Sequence, residues 1–152
     1  MIITEIISGG QTGADRAGLD WALANRVAHS GWCPAGRFSE DGPIESRYLL
    51  TETPSEGYAQ RTEWNVRDSD GTVIFSVDSQ LRGGSSLTRD LAKKWHRPCL
   101  HLSQLKTKNP VETLVEFVES NFIQKLNIAG PRESSEPEIA IYLTEVLDAA
   151  FG

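Results

Sequence analysis

Residues 72–77 read TVIFSV, a continuous apolar run with the length of one β-strand. Such a run is typical of a strand buried on both faces, because helices cover both sides of a parallel sheet. Shorter runs at Ile2–Ser8, Pro98–Leu102 and Leu126–Ala129 have the same character, and helical patterns lie between them. The alternation predicts an α/β protein, a Rossmann-like three-layer sandwich with a mostly parallel central sheet and helices on both faces.

The helices are predicted from apolar residues at helical spacing. Ala14–Arg26 carries an apolar stripe, and Gly18 and Ala22 on this helix would allow a close approach to the sheet. Asn109 with Glu112, and Ser135 with Glu138, have the spacing of capping boxes at two helix starts. The other helices are expected at 55–66, 86–95 and 110–123, and the last one follows the Ser135 cap, has Pro137 in its first turn and reaches about 150.

Residues 30–58 interrupt this pattern with four glycines and three prolines. Glycine and proline break regular structure, so we expect an irregular segment here. Long irregular segments inside compact domains are often functional.

Composition narrows the class of protein. A chain of 152 residues suits one domain spanning 1–152. The net charge of −6 and the lack of a basic stripe argue against duplex nucleic-acid binding. The chain has neither the apolar run of a membrane helix nor a signal-peptide pattern, which predicts a cytoplasmic protein with no membrane partner. Cys33 and Cys99 are expected to be buried free thiols, and no His or Cys spacing indicates a metal site.

Three loops that follow predicted strands combine glycine with small polar residues or arginine, at 8–13, 82–86 and 130–135. Glycine allows the backbone to approach a ligand, and a helix N-terminus offers free N–H groups that suit phosphate. The carboxyl ends of parallel strands share one edge, so the loops should form one anion site for a phosphate-bearing small molecule. The predicted contacts in these loops, and two residues beyond the second loop at Thr88, are Gly9, Gly10, Gln11, Thr12, Gly13, Gly83, Gly84, Ser85, Ser86, Thr88, Gly130, Arg132, Glu133 and Ser134.

Two further candidates lie on the helix expected after the irregular segment. Arg61 and Asn65 are four residues apart and share one helical face, which is placed towards the pocket in the functional interpretation. A solvated helix explains the same residues equally well. Asp68 and Asp70 flank the start of strand 72–77, at the edge opposite the loops, and are interpreted as structural.

Neither of the two common nucleotide motifs is present. The stretch SGGQTGAD at 8–15 is not GxGxxG, and no GxxxxGK[ST] occurs in the chain. The site is therefore neither a regular dinucleotide fingerprint nor a triphosphatase P-loop.

Several long motifs together resemble one known family. SGGQTGADRAGLDWAL, GWCPAGR, EDGPI, GGSSLT and the stretch from Asn127 to Ser134 are similar to the molybdenum carrier (molybdenum cofactor carrier protein) family, over residues 3 to about 145. That family lies within a wider Rossmann-like group with the lysine-decarboxylase-like phosphoribohydrolases and DprA-like proteins. The resemblance implies a homo-oligomer, dimer or tetramer, that binds and protects molybdenum cofactor, a pterin with a phosphate and a dithiolene-held metal. Arg37, in GWCPAGR, joins the expected ligand contacts.

Two other functions stay open. The phosphoribohydrolases use PGGxGTxxE, and residues 82–90 keep only its Gly-Gly. Asp90 could take the place of the acid, which would make the chain a hydrolase of nucleoside monophosphates, with a nucleotide phosphate as ligand. The third hypothesis is a sensor of a nucleotide-derived ligand. Because no nucleophile–base pair is evident, a non-catalytic carrier is the leading hypothesis.

Overall fold

The computed structural model describes residues 3–152, so the predicted strand start at Ile2 lies outside the described residues. The strands are β1 (Glu5–Ile7), β2 (Ala28–Ser30), β3 (Trp32–Cys33), β4 (Phe38–Ser39), β5 (Gly42–Pro43), β6 (Thr51–Glu52), β7 (Gly71–Ser76), β8 (Cys99–Ser103) and β9 (Lys125–Ala129). The helices are α1 (Ala14–Ala24), α2 (Tyr58–Asp68), α3 (Gly83–Lys94), α4 (Pro110–Ser120) and α5 (Ile139–Phe151).

The central sheet is entirely parallel, with strand order β2-β1-β9-β7-β8. All six residues of β7 are buried, as the apolar run TVIFSV predicts for a strand covered on both faces. The last strand, β9, returns to the middle of the sheet between β1 and β7. Their three carboxyl ends are therefore adjacent, at the point where the strand order reverses.

Helices cover both faces of this sheet. On one side α5 packs against both α1 and α4, and on the other side α2 packs against α3. Gly18 on α1 allows the close approach expected from the sequence, because a Cβ there would meet Ile128 of β9 at 3.1 Å. The predicted Rossmann-like sandwich is confirmed.

The segment 30–58 contains more regular structure than predicted. The strand β2 joins the central sheet and ends at Ser30, where the segment begins; within the segment β3 pairs with β6 in parallel, and β4 and β5 form an antiparallel pair. These strands have two or three residues each, too few for a recognisable pattern. A second core under α1 holds the segment in place, built from Leu19, Cys33, Ile44 and Tyr48.

Several helix starts also differ from the prediction. The helix α2 begins at Tyr58 instead of 55, and α3 begins at Gly83 instead of 86. Neither predicted capping box forms, since Asn109 makes no side-chain cap and the N-cap of α5 is Glu138 itself. Glu136 instead holds the segment that follows β7, because its carboxylate accepts from Val77 N and Asp78 N.

Other expectations from composition are met only in part. Both cysteines are free, but only Cys33 is fully buried, while Cys99 is partly exposed. Within residues 3–152, no helix has the length and apolar character to cross a membrane.

Asp70 is structural as interpreted, because its Oδ2 accepts from Gln124 N and Lys125 N at the amino ends of the strands.

Candidate binding cavity at the carboxyl edge of the sheet

A cavity of about 670 Å³ lies where β1, β9 and β7 end. The loops after these three strands form part of its wall, and the helices α2 and α3 close it on the other side. Ten of the predicted ligand contacts line it: Gly9, Gln11, Arg61, Asn65, Gly83, Gly84, Ser85, Thr88, Gly130 and Arg132.

The N-terminus of α3 opens into this cavity. Ser85 N and Ser86 N donate to Arg82 O, whereas Gly83 N and Gly84 N have no acceptor among residues 3–152. A Cβ on either glycine would meet no atom within 4 Å, so the space beside them is open. Free N–H groups and the helix dipole together make this end of α3 suited to an anion.

Two arginines, Arg82 and Arg132, line the same cavity. Arg82 is 3.6 Å from Asp78, and its side chain is 77% exposed. Arg132 is held loosely, 3.9 Å from Glu40 with its side chain 40% exposed, and its guanidinium lies 5.4 Å from the centre of the Tyr58 ring. Because neither arginine is in a tight ion pair, both are free to turn towards a ligand anion.

Deeper in the cavity, Arg61 and Asp15 form a buried ion pair. Arg61 Nη1 donates to Asp15 Oδ2 at 2.8 Å, and both side chains are 10% exposed. Burial raises the pKa of the Asp15 carboxyl, and the charge of Arg61 opposes that rise. Arg61 lies directly over Gly9, where a Cβ would overlap Nη1 and lie 2.8 Å from Cζ. Glycine at position 9 thus makes room for the guanidinium.

The side chain of Gln11 is fixed at the cavity wall. Its Oε1 accepts from Thr12 N at 3.1 Å and from Glu40 N at 2.9 Å. This leaves Nε2 as the free donor, and it has no acceptor among residues 3–152. The Nε of Arg61 is likewise buried without an acceptor in this part of the chain. Two donors on residues that line the cavity are therefore closed off from solvent without an acceptor in this part of the chain, and such donors are costly to leave unpaired.

The other predicted residues in the wall have internal partners. Asn65 connects α2 to β3, because its side chain accepts a hydrogen bond from Trp32 N at 2.7 Å and donates one to Trp32 O at 2.9 Å. Thr88 Oγ1 donates to Gly84 O within α3. These two residues shape the cavity through the elements they hold.

Eight predicted residues lie outside the cavity, including the alternative acid: Gly10, Thr12, Gly13, Arg37, Ser86, Glu133, Ser134 and Asp90. Gly10 faces Ile44 and Leu50, and Gly13 packs against the backbone of Pro131. Asp90 is exposed on α3 and is not among the residues that line the cavity. Ser86, on the same helix, does not line it either.

Four of these outlying residues join loops to one another. Thr12 Oγ1 donates to Glu40 and accepts from Glu133 N, while Ser134 donates to Glu40 Oε2 at 2.6 Å. Arg37 donates to the backbone carbonyls of residues 44, 45, 48 and 50, so all three nitrogens of its guanidinium are engaged in internal hydrogen bonds. The loop 8–13 therefore mainly connects other loops of the protein through hydrogen bonds, and Gly9 and Gln11 are the two of its residues that line the cavity.

The first amide of α1 is occupied, because Ala14 N donates to Pro131 O at 3.1 Å, and Thr12 N before it donates to Gln11 Oε1. Asp15 and Arg16 do not pair with each other: Asp15 binds Arg61, and Arg16 binds Asp41 at 2.9 Å. Gly13 and Ala14 do not line the cavity, whereas Gly83 and Gly84 at the start of α3 do.

Sequence reasoning missed part of the wall: Tyr58, Ser76, Asp78, Arg82, Asn127 and Glu136. Ser76 and Asp78 follow the buried run TVIFSV, so the rule that ligands bind beyond strand carboxyl ends could have found them. No such signal identified Tyr58, because the predicted helix began at 55 and placed Tyr58 inside the helix instead of at its start.

The structure also brings together Ser76 and His101, with Oγ and Nε2 at 2.6 Å. Burial lowers the pKa of His101, which favours the neutral ring. Ser76 Oγ donates its single proton to Asp78 O, also at 2.6 Å, so the His101 ring donates to Ser76. In that arrangement the histidine cannot act as a base towards the serine. Among residues 3–152, no group of three His, Cys, Asp or Glu is placed to hold a metal ion.

Comparison with known proteins places this chain in one family. Residues 6–151 match the circularly permutated YpsA SLOG family, cpYpsA, and the chain belongs to this family. A crystal structure from Syntrophus aciditrophicus SB, described as a "Putative molybdenum carrier protein", is 43% identical, with a TM-score of 0.96. The match covers 99% of this chain and 96% of that one. No curated protein is significantly similar.

Proposed function

We propose that this protein is a carrier that binds molybdenum cofactor through its phosphate and its pterin ring. The observation that carries the proposal is the open N-terminus of α3, whose free Gly83 and Gly84 N–H groups belong to a cavity that Arg82 and Arg132 also line. A phosphate at this helix end would accept backbone hydrogen bonds and meet two cationic side chains. The description of the 43% identical structure as a molybdenum carrier supports the choice of cargo.

The shape and donor set of the cavity fit such a molecule. A volume of about 670 Å³ is in the range of sites for drug-sized ligands. The phosphate would lie at α3, and the ring would extend towards Arg61 and Gln11. Because the cofactor's own dithiolene holds the metal, the protein needs to supply only hydrogen bonds, charge and cover from solvent.

The placement of Asp90 supports a carrier over a hydrolase. Asp90 is exposed and lies outside the wall, so it would not reach a sugar bound beside α3. The carrier proposal predicts that nucleoside monophosphates are bound without release of free base. It also predicts that the protein extends the lifetime of molybdenum cofactor against oxidation.

Calorimetric titration of the protein with molybdenum cofactor under anaerobic conditions tests this proposal. We expect one cofactor per chain, and we expect Arg132→Ala to weaken binding by about 1.5–3 kcal/mol, roughly 10- to 150-fold. Lys125→Ala is the matched control, since it removes the same charge from the opposite edge of the sheet. Equal losses in the two variants would mean that only net charge matters, and absence of binding would refute the carrier.

A dimer or tetramer remains part of the proposal. Phe38 is 52% exposed and Leu49 is 68% exposed, both within the segment 30–58. Exposed large apolar side chains are often found at interfaces. Sedimentation equilibrium of the purified chain would test this, and a monomer at all concentrations would contradict it.

A further inference from the structure

We propose that Asn127, at the floor of the cavity, binds the polar edge of a flat heterocycle, and that its amide accepts either an amino or an oxo group there. The inference rests on the proposed function, because the phosphate site at α3 holds the ligand whose ring would meet Asn127. It adds the class of ring that the cavity selects, namely a ring with a hydrogen-bonding edge over one with only C–H groups at that edge.

The first observation is where the fold places Asn127. Its neighbours on β9, Leu126 and Ile128, belong to the main hydrophobic core, so by strand alternation Asn127 points to the opposite face of the sheet. It lies two residues before the end of β9, roughly 7 Å below the edge of the sheet. The residue is 3% exposed and lines the cavity. A group that contacts Asn127 must therefore enter the cavity deeply.

The second observation is that one end of the Asn127 amide is unused. Its Nδ2 donates to Thr72 Oγ1 at 3.1 Å, whereas Oδ1 has no hydrogen-bond partner among residues 3–152. The buried side-chain atoms that are closed off from solvent without a partner belong to Gln11, Arg61 and Tyr142, so Asn127 Oδ1 keeps accessible surface. Because Asn127 lines the cavity, this free end of the amide is open to a ligand.

Several other uncharged side chains of the wall are already occupied. Ser76, Asn65 and Thr88 use their polar groups in internal hydrogen bonds. Ser85 differs, because its Oγ has no partner in the described part of the chain and is not closed off from solvent, although the residue is only 7% exposed. It belongs to the first turn of α3, so its hydroxyl serves the phosphate end of the ligand. Asn127 serves the ring end.

The third observation is the adaptability of the partner of Asn127. Thr72 is fully buried on β7, directly beside Asn127 in the register of the sheet, and its Oγ1 makes no other hydrogen bond within residues 3–152. A hydroxyl can accept from Nδ2, as it does here, or donate to Oδ1 once the amide has turned over. The bond to Thr72 is kept in both orientations, and the cavity is offered an acceptor in one and a donor in the other.

This pairing defines the group that fits the floor. An amino group would meet Oδ1, and an oxo group would meet Nδ2 of the turned amide. A C–H edge would leave the buried amide without a partner, and a site that buries an unpaired polar group rejects such a ligand. Pterins and purines both offer a polar ring edge, so the shared chemistry is an uncharged hydrogen-bonding heterocycle.

The experiment compares three nucleotides on the wild-type protein by calorimetry. Inosine, adenosine and purine riboside monophosphates carry an oxo group, an amino group and a hydrogen at the same ring position. We expect the first two to bind with similar affinity and the third to bind at least about tenfold more weakly.

Two variants locate the selectivity. Asn127→Leu keeps a similar side-chain volume and removes the amide, so we expect the oxo and amino nucleotides to fall to the affinity of the unsubstituted one, with the affinity for inorganic phosphate unchanged. Asn109→Leu is the matched control, because Asn109 is exposed, caps nothing with its side chain and lies outside the wall. It should bind like the wild type. If Asn127→Leu does not fold, the three nucleotides on the wild-type protein decide alone.

A second series repeats the variants with pterin in the presence of inorganic phosphate. A loss of affinity in Asn127→Leu with pterin alone assigns the floor to pterins, and a loss with nucleotides alone assigns it to purines.

Three results would overturn the inference, and they separate it from the proposed function. Equal affinity for all three nucleotides, or a folded Asn127→Leu that binds every probe like the wild type, refutes the role of Asn127. A difference of roughly tenfold or more between the oxo and amino nucleotides refutes the adaptable amide. In these cases, weaker phosphate binding by Arg132→Ala would leave the phosphate site standing. No binding of any monophosphate or of inorganic phosphate refutes both proposals.

Discussion

Replacing Gly9 by alanine should break the ion pair between Arg61 and Asp15, because the added methyl group would overlap the Arg61 guanidinium. A Cβ at this position overlaps Arg61 Nη1, the atom that binds Asp15. The backbone of Gly9 is not among those with positive φ, so alanine introduces no conformational strain. The whole effect should come from displacing the guanidinium.

The expected cost follows from what the displacement leaves behind. Removing one partner of a buried ion pair costs about 3–5 kcal/mol. In Gly9→Ala the guanidinium is still present and can move into the cavity, so we expect a smaller loss of about 2 kcal/mol. For a domain of this length, that corresponds to a fall in Tm of about 4–8 °C.

Urea unfolding of the four members of a double-mutant cycle measures this effect. In the Arg61→Ala background, where the guanidinium no longer lies over Gly9, Gly9→Ala should cost little or nothing. Gly84→Ala is the control, because no atom lies within 4 Å of its Cβ position, and it should be neutral or stabilise by about 0.4–1 kcal/mol. A cost for Gly9→Ala that is the same in both backgrounds would refute this explanation of the glycine.

Three further predictions concern parts of the molecule outside the cavity wall. Burial and a hydrogen bond to Asp20 raise the pKa of Tyr48 from 10.0 to about 12, so its contribution to stability is complete below about pH 10 and is lost as the pH rises to about 12. Unfolding measured across this range should show that loss, and Tyr48→Phe should remove it; an identical alkaline fall in both proteins would contradict the assignment. Arg37→Ala should lower the free energy of unfolding by about 2–3 kcal/mol, because it frees four carbonyls, and it should leave the affinity for inorganic phosphate unchanged. Reduced phosphate affinity in a folded variant would return Arg37 to the ligand contacts. Asp70→Ala should destabilise by about 1 kcal/mol, since Gln124 N and Lys125 N lose their acceptor, and unchanged urea unfolding would refute that role.

The layers of the fold were predictable because burial leaves a strong trace in sequence. The run TVIFSV identified the fully buried strand β7, and the pair Gly18 and Ala22 identified the face of α1 that approaches the sheet. The strand β2 has three residues, all intermediate or exposed, and carries no such trace. Its place in the sheet depends on pairing with β1, which is a long-range property of the backbone.

The candidate site was predictable in its location more than in its contacts. Glycine and arginine after the strands indicated the edge at which the cavity lies, because strand direction alone brings those loops together. The role of each residue depended on partners distant in sequence. Gly9 is explained by Arg61, and Thr12 and Ser134 by Glu40, and neither relation can be seen from local spacing.

The most direct test of the carrier is to fill its phosphate site without disturbing the fold. A Cβ at Gly84 meets no atom within 4 Å, so Gly84→Leu should fold normally and place its side chain in the space at the start of α3. Ser86→Leu puts the same side chain on the same helix outside the wall. In anaerobic titration with molybdenum cofactor, the account predicts stoichiometric binding by the wild type and by Ser86→Leu, and no binding by Gly84→Leu. Full binding by a folded Gly84→Leu would contradict it.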